Sequence, residues 1–101
     1  MCNNFLNKMF EQLLHGHSSA VCCVALRSIG HVASGDGNGS IIVHSTSSNK
    51  VVYRVDNVFA EVLGLCYLLD GSLVACGYDG PGGDGLKVFS PSLELVQTLV
   101  G

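Results

Sequence analysis

The chain has 101 residues, 48% hydrophobic and 13% charged, with a net charge of −3. That is the size of one small domain and too apolar for a disordered segment. Its five cations, Lys8, Arg27, Lys50, Arg54 and Lys87, are scattered, so no basic stripe supports binding to nucleic acid.

No apolar run approaches the roughly 18–20 residues of a membrane helix, and no membrane contact is expected. The N-terminus lacks the basic segment followed by an apolar run that marks a signal peptide. The chain is therefore expected to be intracellular, cytoplasmic rather than nuclear, with its five cysteines reduced and buried. The sequon Asn38-Gly39-Ser40 is then idle.

In chain order, residues 1–14 carry two readings. Phe5, Leu6, Met9, Phe10, Leu13 and Leu14 recur at helical spacing, with Asn3 or Asn4 as a cap. An internal repeat instead makes residues 9–14 the outer strand of a preceding unit. Beyond them, short apolar or β-branched runs bounded by turn residues predict strands. The first four are 20–26, 31–35, 40–46 and 50–55; the second four are 62–68, 72–78, 86–90 and 94–99. Gly35–Gly39 and Asp79–Asp84 are turn clusters, rich in residues that accept positive φ.

The repeat is visible in the letters. Gln12, Leu14 and Gly16 recur as Gln97, Leu99 and Gly101 at an offset of 85 residues. Val32-Ala33-Ser34-Gly35 aligns with Val74-Ala75-Cys76-Gly77 at an offset of 42, and Ile41 with Leu86 at 45, the slippage falling in the Gly-rich stretch 80–83. Insertions belong in such loops.

Leu14-His15-Gly16-His17, then Val21–Ala25, then Ala33–Val43 resembles a WD40 repeat, whose unit is about 40–45 residues. The likeness runs from about residue 9 to the C-terminus. It implies an all-β chain: two four-stranded antiparallel WD40-type blades of an incomplete β-propeller, over 15–56 and 57–101, after an N-terminal segment over 1–14. It also implies a hydrogen-bonded structural set, matched here by His17, Ser34, Asn38 and His44. In the second blade the set degrades to Val58, Cys76, Asp84 and Phe89. The stretch from Val32 to Ser45 further resembles one blade of a centrosomal WD-repeat protein that recruits γ-tubulin.

Chemistry-bearing alternatives fail on spacing. Asp36–Ile41 looks like the middle of an EF-hand loop, but Ser34 and Ser45 stand where its first and last carboxylates belong. His15, His17, Cys22 and Cys23 lack zinc-ligand spacing. The Gly-rich stretch 77–85 lacks a phosphate-loop ending. Asp36, Asp56, Glu61, Asp70, Asp79 and Asp84 mostly fall in turns, and no nucleophile elbow is present. No catalytic residue, metal or cofactor is expected.

The expected function is a non-catalytic scaffold for protein–protein interaction, probed through exposed turns: Arg27, Asp36, Asn38, Tyr53, Arg54, Tyr78 and Asp79. Tyr and Arg are favoured interface anchors. The alternative is a partial propeller that completes or caps another chain's ring, with self-association through open blade faces, because propellers close with 4–8 blades. The end at Gly101, where a next Gly-His would begin, reads as a fragment.

Overall fold

The structure is a computed structural model that describes residues 21–27, 30–48, 50–79 and 84–100. His17, the segment 1–14 and residues 80–83 lie outside the described residues.

Eight strands follow in order: β1 Val21–Arg27, β2 His31–Asp36, β3 Ile41–Ser45, β4 Lys50–Val55, β5 Glu61–Tyr67, β6 Leu73–Tyr78, β7 Asp84–Phe89 and β8 Leu95–Val100. Each predicted strand is present, β4 with the predicted ends and the others with one or both ends moved by a residue or two. No helix occurs among the described residues.

Each hairpin is antiparallel, and the strands form two sequentially ordered sheets, β1-β2-β3-β4 and β5-β6-β7-β8. Period-two alternation explains β1. Val21, Cys23, Ala25 and Arg27 turn to the half-buried side, while Cys22, Val24 and Leu26 are exposed. Cys66 is exposed as well. The expectation that these thiols are buried is therefore corrected for Cys22 and Cys66, because their register faces them outward.

The two sheets repeat each other down to their irregularities. The first strand of each carries a bulge, at Cys22 and at Leu63. The last strand does too, at Val52 and at Val96. Matching the hairpins through these bulges pairs Val32 with Leu73, Ala33 with Val74, Ser34 with Ala75 and Gly35 with Cys76. The sequence alignment of Ser34 with Cys76 is thus one residue out. In a strand such a slip exchanges the two faces. Ala75, fully buried, occupies the place of Ser34. His44, opposite Val32, and Phe89, opposite Leu73, do correspond.

The core lies between the sheets, where β5 packs on β1 and β2. The first sheet contributes Ala33, Ile41 and Val43. The second contributes Val62, Leu73, Ala75 and Phe89, and the connectors add Val58, Phe59 and Leu93. Leu93 keeps its apolar contacts despite a positive φ of 64° in the β7–β8 turn, a conformation L side chains adopt rarely.

Candidate interaction surface

Connections gather at two opposite ends of the sheets. One end holds the β2–β3 turn, the β4–β5 connector and the end of β6. Asp36 organises the turn. Its carboxylate Oδ1 accepts the backbone N–H groups of Asn38 at 2.9 Å and Ser40 at 3.0 Å. Its own carbonyl accepts from Gly39 at 3.2 Å. Local carboxylate-to-backbone bonding of this kind is why Asp favours turns.

The connector from Asp56 to Ala60 is pinned on both sides. Ser40 Oγ donates to Asp56 Oδ1 at 2.8 Å, and Arg54 Nε donates to the same oxygen at 3.2 Å. The Ser40 hydroxyl first, and the Arg54 guanidinium second, hold the Asp56 carboxyl below its usual range. Val58 N–H donates to the Gly39 carbonyl at 2.9 Å, and Ala60 N–H to the Tyr78 carbonyl at 2.9 Å. From the second sheet, Lys87 Nζ donates to the Val58 carbonyl. The same ammonium sits 4.7 Å from the Phe59 ring centroid, within cation–π range. The Phe59 ring lies where a Cβ on Gly77 would stand.

This end therefore ties both sheets to one connector. Its exposed side chains are Asn38, Arg54, Asp56, Asn57, Ala60, Tyr78 and Asp79.

The other end holds the β1–β2, β3–β4, β5–β6 and β7–β8 turns. There the Arg27 guanidinium covers Gly71. Asp70 accepts the Ser72 N–H at 2.9 Å, which lowers its pKa. Tyr53 is half-buried, its ring edge-on to His31 at 6.5 Å.

The predicted contact residues thus divide. Arg54, Tyr78 and Asp79 share the first end. Arg27 lies at the opposite end, and half-buried Tyr53 packs on His31. Asp36, expected on the surface, is fully buried, because its carboxylate is consumed inside the turn. Within the structural set, Ser34 is fully buried and its Oγ donates to the Ile42 carbonyl at 3.3 Å. His44 and Phe89 are buried at 5% and 2% exposure. The turn carboxylate comes from Asp36; Asn38 is exposed and contributes its backbone N–H. Asp84 is the first residue of β7, opposite Tyr78, rather than a turn residue. Val58 lies in the apolar core.

Sequence reasoning missed Ser40, Phe59 and Lys87, and did not offer Asp56 as part of this surface. Only the lone aromatic in the β4–β5 connector, Phe59, carried a signal, since an apolar residue amid turn residues marks a buried anchor.

The solved structure of the computationally designed Ika4 protein superposes with a TM-score of 0.70 at 25% identity, covering 85% of this chain and 51% of that one. Its likeness joins the sequential antiparallel winding, the repeated bulges and the face-to-face stacking. The two sheets are successive blades of an incomplete β-propeller.

Echinoderm microtubule-associated protein-like 1 of Mus musculus and its namesake in Rattus norvegicus are 33% identical over 78 residues, 73% of this chain. The chain spans 9% of the length of these relatives. No protein-family profile matches. The centrosomal resemblance finds no support in these comparisons.

Among the described residues no cluster of His, Cys, Asp or Glu could hold a metal ion. No helix there is long and apolar enough to cross a membrane.

Proposed function

We propose that the chain is part of a WD40-repeat β-propeller and serves as a non-catalytic scaffold for protein–protein interaction. One observation carries this reading. The connector Asp56–Ala60 is hydrogen-bonded to the β2–β3 turn of the first blade and to β6 and β7 of the second. A rigid platform lowers the ordering cost of binding. It presents Arg54 and Tyr78, at 47% side-chain and 46% exposure respectively.

The relatives' name makes microtubules the first probe. The full chain is co-sedimented with microtubules, alongside Arg54→Ala, Tyr78→Ala and, at the opposite end, Asp70→Ala. Loss of binding in the first two with retention in the third supports the reading. Equal loss in all three, or no binding by the parent chain, counts against this surface as a microtubule contact.

A second reading, completion of another chain's ring, is favoured by a specific contrast. Ala33, Ile41 and Val43 of the first blade are at most 1% exposed. Their counterparts Val74, Leu86 and Val88 in the second blade are half-buried or, for Leu86, 41% exposed. Leu86→Glu should abolish any association made through that face, as read by sedimentation equilibrium.

A further inference from the structure

Both blades end in an edge strand, and the two edges differ in one physical respect. β4 and β8 carry the same bulge, at Val52 and Val96. Counted from it, Arg54 of β4 corresponds to Thr98 of β8. β4 also begins with Lys50, whereas residues 95–100, Leu-Val-Gln-Thr-Leu-Val, contain no charge and no proline. Charged side chains and proline are the devices that blunt a sheet edge. A short uncharged segment of high β-propensity without proline is the pattern that pairs. Leu95, Val96 and Leu99 are 55%, 65% and 43% exposed. Among the described residues, β8 pairs with β7 alone and its outer edge meets no strand.

We propose that β8 pairs antiparallel with β8 of a second copy, joining two second-blade sheets into one continuous sheet. The absence of charge selects the occupant. β8 offers nothing to pair with a charged peptide, and its own copy is an apolar, uncharged strand of the same length. The contact is isologous, so both edges are consumed and growth stops at the dimer. The bulge at Val96 confines regular pairing to the segment from Gln97 onward. The proposal does not rest on the scaffold reading and uses the backbone edge of β8 rather than the open blade face, on which Leu99 stands beside Leu86.

The test uses the full chain in sedimentation equilibrium and in hydrogen exchange at low and high concentration. The parent chain should interconvert between monomer and dimer. β8 amides should gain protection with concentration while β4 amides do not. Thr98→Glu is suited to the fold, because within the sheet Thr98 stands opposite Lys87. It places like charges near one another across the two-fold and should weaken association at least about tenfold. Val52→Glu on β4 should leave it unchanged.

A parent chain that stays monomeric overturns the proposal. So do assembly beyond the dimer and protection gained equally in β4. Association insensitive to Thr98→Glu but abolished by Leu86→Glu also overturns it and assigns the contact to the open blade face. Hydrogen exchange on the parent chain decides the matter should Thr98→Glu fail to fold.

Discussion

Gly39 shows how little room the turn between β2 and β3 allows. Its φ is 84°, and a Cβ there would overlap the Phe59 carbonyl. Its own carbonyl accepts the Val58 N–H, so it cannot retreat without breaking the bond that pins the connector. Gly39→Ala should destabilise the chain by more than about 1 kcal/mol, since strain and backbone overlap add. Urea denaturation followed by circular dichroism measures it, and an unchanged midpoint would refute the account. Here the sequence was informative about the place and misleading about the atoms. Gly-rich punctuation located the turn, but Asp36 and Asn38 both suit such a turn and only geometry separates them. Asp36 lies two residues before Asn38 and four before Ser40, within reach of both N–H groups. The bonds from Ser40 and Lys87 to the connector span 16 and 29 residues, and no local pattern announces them.

At the scale of elements, strands were legible because each is a short run with turn residues on either side. Register was less so. Val-Ala-Ser-Gly and Val-Ala-Cys-Gly are alike in letters, yet the bulges at Cys22 and Leu63 set the hairpins one residue away from that match. The face each side chain takes follows from the bulge rather than from the letters.

Thiol chemistry reports that register directly. Cys22 and Cys66 are exposed, whereas Cys23 faces the second blade and burial pushes its thiol from 9.0 up to about 11. The thiolate is the reacting form. An alkylating reagent should therefore modify the exposed Cys22 and Cys66 well before Cys23, as read by peptide mass mapping. The linked stability has a definite sign. A folded-state value raised above the unfolded one stabilises fully below 9.0 and is lost as pH rises toward 11. Cys23→Ala should reduce that alkaline loss, leaving the part due to Tyr67, whose hydroxyl burial also raises. Cys23 labelling as fast as Cys22 would contradict the assigned faces.

Across the whole molecule, the two blades share one core, and Phe59 joins them. It is 5% exposed, carries Lys87 over its ring and lies against Gly77 closely enough that no Cβ fits between. Truncating it removes a large buried side chain and the partner of a half-buried cation. Phe59→Ala should cost about 3–5 kcal/mol, a large share of the roughly 5–15 kcal/mol that stabilises a domain. Because Val62, Leu73 and Ala75 of the second blade and Ala33, Ile41 and Val43 of the first belong to the same cluster, the loss should be felt by both. The parent chain should unfold in one cooperative transition that Phe59→Ala moves to lower denaturant without splitting. Phe59→Leu, which keeps apolar volume under Lys87, should lie between the two. Hydrogen exchange along β2 and β6 can follow each blade separately. Were β6 to open early in Phe59→Ala while β2 kept its full protection, the blades would be independent units and the shared core would not hold them together.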